Sequence, residues 1–108
     1  MGSKQIAMRP EFRRFLGRLQ RELHPQVVLL FGSRARGDHR PDSDYDLLVV
    51  SNRFRRVPWV QRAALVTVLW DLPLDVEPIC LTPAEYRRRR NEISIIGEAV
   101  REGVAVIG

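Results

Sequence analysis

The sequence is poor in cysteine, lysine and long apolar runs, and each shortage excludes a class of protein. The single cysteine, Cys80, cannot form a disulfide within the chain, which excludes a disulfide-stabilised secreted domain and fits a reducing cytosol or a plain buried thiol. Charged residues interrupt every apolar run before the roughly 20 residues that a membrane span needs. Residues 1–14 lack the apolar core of a signal peptide. We therefore expect a cytoplasmic protein with no membrane partner.

The positive charge of the chain is almost entirely arginine. Lys4 is the only lysine among the 18 basic side chains, and 13 acidic side chains leave a net charge of +5. Guanidinium is a planar fork that suits phosphate and carboxylate, so phosphate-bearing or acidic partners are favoured, although Arg-rich genomes produce similar surfaces. With 108 residues and no linker-like segment, we expect one domain over residues 1–108.

The apolar periodicity predicts an α+β domain in the order helix, strand, strand, helix, strand, helix, strand. An amphipathic helix is expected over 10–23, and strands are expected over 26–31, 46–50, 74–79 and 104–107. A mostly buried helix is expected over 58–72, and a last helix, capped by Thr82, Pro83 and Glu85, is expected to reach Gly103. The aromatic residues expected in the core are Trp59, Trp70 and Tyr86. Tyr45 fits either the core or a pocket wall.

The segment most informative about chemistry contains three aspartates. Asp44 and Asp46 flank the start of the second strand, and because strand side chains alternate, they point to one face with Cα atoms roughly 6.5 Å apart. Asp75 lies near the start of the third strand, between the apolar residues Leu74 and Val76. Oxygen ligands of this kind suit Mg²⁺, and three carboxylates around two Mg²⁺ ions suit nucleotidyl transfer, with Asp75 as the base. The alternative is three ordinary solvated acids at strand ends.

The loop after the first strand supplies groups that suit phosphate. Gly32 lets backbone amides approach an anion, and the Ser33 hydroxyl and the first amides of a short helical turn can donate to phosphate oxygens. Arg34 and Arg36 are placed to neutralise a triphosphate, although spacing alone does not distinguish which of them faces the site. Gly32 and Gly37 have the glycine spacing of a P-loop, but the match fails because Asp38 stands where that motif requires Lys.

Three further features have open interpretations. Glu77 shares a strand face with Asp75 and could support the metals, although Pro78 beside it indicates an edge strand or a strand end. His39 could touch a base or a phosphate, or be an exposed loop residue. The run Arg87–Arg90 fits a solvated helix face or a surface that docks an acidic partner.

Taken together, these residues resemble a known signature. Gly32-Ser33, ten intervening residues, Asp44-x-Asp46 and a later strand aspartate, Asp75, are similar to the DNA polymerase β-type nucleotidyltransferase superfamily, particularly its minimal nucleotidyltransferases. The resemblance covers residues 27–79. It implies a small fold with a mixed, mostly antiparallel sheet of about four strands. It also implies that Asp44 and Asp46 bind the metals, that Asp75 completes the triad, and that Gly32 and Ser33 hold the nucleotide phosphates.

The resemblance also implies a function. Minimal members are similar to antitoxins that silence a HEPN-domain ribonuclease toxin by transferring AMP from ATP to a toxin tyrosine. The expected partners are therefore a HEPN-type toxin and a nucleotide; nucleic acid is not expected as a main partner, and self-association is left open. Two alternatives are a non-catalytic module that neutralises a partner by contact, and a transferase acting on a small molecule such as an aminoglycoside. A nucleic-acid binder attracted by charge is a third.

Overall fold

The computed structural model describes residues 8–108, in which helices cover both faces of one sheet. The helices are α1 (Pro10–Leu23), α2 (Ser33–Arg36), α3 (Trp59–Thr67), α4 (Pro83–Arg89) and α5 (Ile95–Glu102). The strands are β1 (Val27–Phe31), β2 (Tyr45–Val50), β3 (Val76–Leu81) and β4 (Val104–Ile107), and a short 3-10 turn spans Asn52–Phe54. The first seven residues lie outside this description, and Lys4 is among them.

The sheet has the strand order β3-β2-β1-β4. β1 pairs antiparallel with β2 and with β4, whereas β2 and β3 run parallel and are joined by a crossover that contains α3. The expected α+β fold with a four-stranded, mostly antiparallel sheet is therefore confirmed. β3 is an edge strand, which explains how it accommodates Pro78 in its middle.

Two apolar clusters explain why β1 and β2 read as continuous apolar runs. On one face, α1 packs through residues such as Phe12, Phe15 and Leu19 against alternate strand residues, including Leu47. On the other face, α5 packs through Ile96 and Ala99 against the remaining strand residues, which are Leu29, Phe31, Leu48 and Leu81. Both faces of the central strands are covered, so both sets of alternating side chains must be apolar.

α1 begins and ends where the sequence predicts. Pro10 occupies its first position, where a missing N–H has no cost, and His24 ends it in a left-handed conformation (φ 44°) before Pro25. The buried Ser51 hydroxyl, just after β2, donates to the Leu23 carbonyl and so ties the end of α1 to the sheet.

The prediction of a mostly buried helix over 58–72 is wrong. α3 ends at Thr67 and buries only Arg62 and Val66, while Val60 is 84% exposed. Trp59, predicted to lie in the core, is 50% exposed. The physical reason is that α3 is held to the sheet through a polar contact, because Arg62 donates to Glu85 and to two backbone carbonyls, those of Val57 and Cys80.

The prediction of one helix from Thr82 to Gly103 is also wrong, although its capping box is present. Thr82 Oγ1 accepts from the Glu85 N–H, and the Glu85 carboxylate accepts from the Thr82 N–H. The chain then breaks after α4, and Ser94 caps a separate helix, α5, by accepting from the Ile96 N–H. Ile93, expected on the apolar stripe, lies in the break and is fully exposed.

The strand bounds differ by one or two residues from the predicted ones, with the exception of β4, which agrees.

Cys80 is buried in β3, and burial raises the pKa of its thiol to about 12, so it is the plain buried thiol that the sequence allowed. Within residues 8–108, no helix combines the length and the apolar character that crossing a membrane would demand.

Candidate active site

The acidic residues singled out in the sequence meet at one end of the parallel strand pair. In the register of β2 and β3, Asp46 lies opposite Glu77 and Tyr45 lies opposite Val76, which brings Asp44 and Asp75 to the same level just before the two strands. The Tyr45 N–H donates to the Asp75 carbonyl at 2.9 Å, so the two strand starts are directly joined. We call this group of four side chains, Asp44, Asp46, Asp75 and Glu77, the acidic edge.

The carboxylates of the acidic edge interact strongly. The pKa of Glu77 is raised, first because its protonated carboxyl donates a hydrogen bond to Asp44, then by burial and by the negative charges of Asp46, Asp44 and Asp75. The pKa of Asp46 is also raised, first by burial and then by the charge of Asp44, and Arg36 opposes this effect. In both cases, repulsion between neighbouring carboxylates is a secondary cause of the raised pKa. Glu77 therefore belongs to the acidic edge together with the three aspartates. The strand face that it shares with Asp75 made this one of its possible interpretations.

The donor set of the acidic edge consists of carboxylate oxygens, which are the ligands that Mg²⁺ prefers. Within residues 8–108, no three histidine, cysteine or acidic side chains converge closely enough to hold one metal ion. By the chemistry of their donors and by their shared location at the strand starts, the residues present nevertheless suit Mg²⁺. The carboxylates of the acidic edge therefore lie at the same end of the strands without surrounding a single point.

The turn between β1 and α2 packs directly against this edge. Gly32 has a φ of +73°, a conformation that favours glycine, and a side chain there would overlap the Asp46 carboxylate. The Gly32 carbonyl accepts from the N–H groups of Ala35 and Arg36, which starts the single helical turn that was predicted. The earlier amides, those of Ser33 and Arg34, have no acceptor within the helix and so can donate to an anion.

The two arginines after this turn have different roles. Arg34 donates to the carbonyls of Pro41 and Ser43 and lies over the Tyr45 ring, 4.1 Å from its centre. It therefore holds the loop that leads to Asp44. Arg36 is half-exposed and lies 3.3 Å from Asp38 and 3.6 Å from Glu102, and its charge acts on Asp46. The hydrogen bond with Asp38 is the main reason that the pKa of Arg36 is raised. Of the two, Arg36 is the one electrostatically coupled to the acidic edge.

The structure shows where two nearby residues lie whose placement the sequence left open, Tyr45 and His39. Tyr45 is a core residue, 4% exposed, with its ring 4.9 Å from that of Phe12 and 5.2 Å from that of Trp70. Its packing fixes the start of β2 and hence the position of the aspartates on either side. His39 lies exposed in the loop, and nothing in the geometry of the described residues ties it to the edge.

Comparison with solved structures shows what the fold is similar to. A candidate nucleotidyltransferase from Sulfolobus solfataricus is 24% identical, with 97% of this chain and 89% of that chain aligned and a TM-score of 0.60. A chain of a toxin-antitoxin complex with AMP-PNP is 23% identical over 93% of this chain and 74% of that chain, with a TM-score of 0.52. These identities establish a shared fold only.

The same fold also occurs in a protein that is not described as a nucleotidyltransferase, BolA1. BolA1 from Mus musculus is 23% identical over 86% of this chain and 82% of its own, with a TM-score of 0.61. Comparison with curated proteins finds no significant match. The decisive comparison is with protein families: residues 10–102, which include the Gly32-Ser33 turn and the whole acidic edge, match the nucleotidyltransferase domain. The chain therefore belongs to the nucleotidyltransferase domain family.

Proposed function

We propose that this protein is a Mg²⁺-dependent protein adenylyltransferase that moves AMP from ATP to a tyrosine hydroxyl of a HEPN-type toxin and thereby acts as its antitoxin. Membership of the nucleotidyltransferase domain family supports a transferase activity in general. The observation that carries the rest is the acidic edge packed against the Gly32-Ser33 turn, because it puts carboxylates beside backbone amides that suit phosphate.

In the proposed reaction, the acceptor hydroxyl oxygen attacks the α-phosphorus of ATP. A new O–P bond forms, the bond from that phosphorus to the bridging oxygen breaks, and pyrophosphate leaves. Asp75 accepts the hydroxyl proton. Asp44, Asp46 and Asp75 would hold two Mg²⁺ ions, which when bound neutralise phosphate charge and favour in-line displacement. The amides after Gly32, the Ser33 hydroxyl and Arg36 would bind phosphate oxygens, while Arg34 orders the loop.

The partner is the second part of the proposal. Its support is the likeness to a chain of a toxin-antitoxin complex with AMP-PNP, together with the exposure of Asp75 and Glu77 at the acidic edge. A cytoplasmic location, where ATP and Mg²⁺ are plentiful, belongs to the same proposal.

Incubation with α-labelled ATP, Mg²⁺ and the product of the adjacent gene tests both parts. Label should appear on a tyrosine of that product and should vanish with Asp44→Asn plus Asp46→Asn. Asp42→Asn, an exposed acid in the same loop, is the matched control and should keep the label. Label that persists in the double variant would exclude the acidic edge as the active centre. Toxin neutralisation without any label would favour inhibition by contact.

A further inference from the structure

A second charged region lies at the opposite end of the parallel strand pair. The acidic edge stands where β2 and β3 begin, whereas a cleft of about 270 Å³ opens where they end, between the 3-10 turn after β2 and the start of α4. Six residues of strand at about 3.3 Å each separate the two ends by roughly 20 Å. This cleft, which we call the arginine cleft, is lined by Asn52, Arg55, Thr82, Pro83, Ala84 and Arg87.

The arginine cleft carries positive charge without compensation. Neither Arg55 nor Arg87 has a carboxylate within 4 Å among residues 8–108. The nearby acids of α4 and its following turn are already engaged, Glu85 by Arg62 and Glu92 by Arg89. Four more arginines lie close to Arg55 and Arg87 in the sequence: Arg53, Arg56, Arg88 and Arg90. All four are exposed, and none forms an ion pair among residues 8–108.

The geometry points to a phosphate-binding surface for a single-stranded nucleic acid, centred on Arg55 and Arg87. Ligand pockets usually span about 300–1,000 Å³, so this cleft of about 270 Å³ lies at the lower edge of that range and has room for a phosphate group. Two guanidinium forks can grip that phosphate, and Asn52 adds an amide donor. This inference does not depend on the proposed transfer reaction, because it uses none of its residues.

The surroundings favour a nucleic acid over a free phosphate or an acidic protein. A nucleic acid strand carries a charge every few ångströms, so it can engage the flanking arginines together, which a single small anion cannot. Beside α4, outside the cleft itself, the Arg62 and Arg89 guanidinium groups flank the Trp59 ring, 5.6 and 5.9 Å from its centre, and the exposed half of that side chain offers an aromatic edge for a base.

Fluorescence anisotropy with a fluorescein-labelled oligouridylate of about 12 nucleotides, a length typical of such sites, tests this surface. The double variant Arg55→Glu plus Arg87→Glu should weaken binding at least about tenfold and flatten the slope of log K against log salt by about 1.4. Arg13→Glu plus Arg14→Glu changes the net charge equally on exposed positions of α1 and should weaken binding less than about threefold. Equal losses in the two variants would overturn the site, because binding would then follow net charge alone.

Competition separates the ligand classes. Pyrophosphate should displace the oligouridylate only at far higher concentration, since it engages the cleft but not the flanking arginines. If pyrophosphate competes as well as unlabelled oligouridylate, the site takes free phosphate and the nucleic-acid assignment is wrong. If an oligoglutamate of equal charge competes as well, the surface suits an acidic protein, and the nucleic-acid assignment is again wrong. Asp44→Asn plus Asp46→Asn should leave oligouridylate binding intact, which distinguishes this site from the acidic edge.

Discussion

Gly32 and Asp46 are packed so closely that a Cβ atom on Gly32 would overlap Asp46 Oδ2 and lie 3.1 Å from Asp46 Cγ. Phe31, the residue before Gly32, is also the strand partner of Asp46, so the turn and the aspartate are held by one ladder. The carboxylate thus keeps its orientation only while position 32 has no side chain. The phosphate-binding turn and the acidic edge are therefore two parts of one packed unit.

Gly32→Ala should impair both function and stability. Alanine costs about 1–2 kcal/mol in the left-handed helical region and more at Gly32, whose φ of 73° and ψ of −155° lie in a region essentially confined to glycine, and it would also push the Asp46 carboxylate aside. Gly37→Ala is the matched control, since Gly37 has a φ of +85° but, among residues 8–108, no heavy atom within 4 Å of an added Cβ. Urea unfolding should show the larger loss for Gly32→Ala, and calorimetry with ATP and Mg²⁺ should show weakened binding for Gly32→Ala alone. Equal ATP affinity in the two variants would contradict the close packing described above.

Gly97→Ala should destabilise the protein although alanine is the better helix former by about 1 kcal/mol. An added Cβ at position 97 in α5 would overlap the Glu92 carbonyl, which belongs to rigid backbone in the break between α4 and α5. We expect the unfolding free energy in urea to fall by about 2 kcal/mol or more, as for other overpacked sites. Gly17→Ala in α1, where the nearest atom is the end of Arg21 at 3.6 Å, should raise it instead. A gain in both variants would show that the break is not closely packed.

Magnesium should stabilise the native protein through the acidic edge. A ligand at 100 times its Kd adds about 2.7 kcal/mol to the unfolding free energy, so Mg²⁺ should raise the melting temperature measured by circular dichroism. Asp46→Asn should abolish most of this rise, and in EDTA it should be at least as stable as the native chain because one repelling carboxylate is gone. Asp42→Asn should respond to Mg²⁺ as the native chain does. An unchanged response in Asp46→Asn would place magnesium binding elsewhere.

The ion pair between Arg62 and Glu85 should dominate the attachment of α3. Arg62 is 9% exposed at its side chain and lies 2.6 Å from Glu85, so Arg62→Met leaves a partly buried carboxylate unpaired and should cost about 3 kcal/mol. Arg18→Met is the comparison, because its partner Asp71 is 65% exposed and such surface pairs contribute under about 1 kcal/mol. Urea unfolding at pH 7 measures both. A smaller loss for Arg62 than for Arg18 would contradict the buried pair.

The same pair should make stability depend on pH. The hydrogen bond from Arg62 is the main reason that the pKa of Glu85 lies below its ordinary value. A lowered folded-state pKa contributes stability that is fully present above the unfolded value of about 4.3 and is lost as pH falls through the folded value. Glu85→Gln should therefore cost stability at pH 7 and much less near pH 3. An equal cost at both pH values would show that the charge of Glu85 is not what stabilises the native state.

Local signals in the sequence predicted much of the fold. Pro10 and the His24-Pro25 step set the ends of α1 because they act on backbone geometry that does not depend on the rest of the fold. The apolar runs of β1 and β2 were recognised because both sheet faces are covered. The position of the acidic edge followed from strand alternation, and only the parallel register of β2 and β3 adds that Glu77 lies opposite Asp46.

The failures concern long-range contacts. The apolar composition of 58–72 indicates burial, but α3 is attached through Arg62 to Glu85, a partner 23 residues away that periodicity does not reveal. Ser94 is a capping residue that marks the start of α5, yet the stripe of Tyr86, Ile93 and Ile96 masked the break. The separate roles of Arg34 and Arg36 depend on the path of the loop that leads to Asp44, which spacing does not describe.

The in-register parallel pairing of β2 and β3 restricts how this chain can vary in length. Deleting one residue between Asp44 and Val50 would shift the pleat by one position and turn Asp44 toward the α1 side of the sheet. Residues added to the exposed turn at Arg55 and Arg56, before α3, in contrast, do not change the strand register and leave the carboxylates where they are. Insertions and deletions among related chains should therefore collect in the crossover and be absent from the strands.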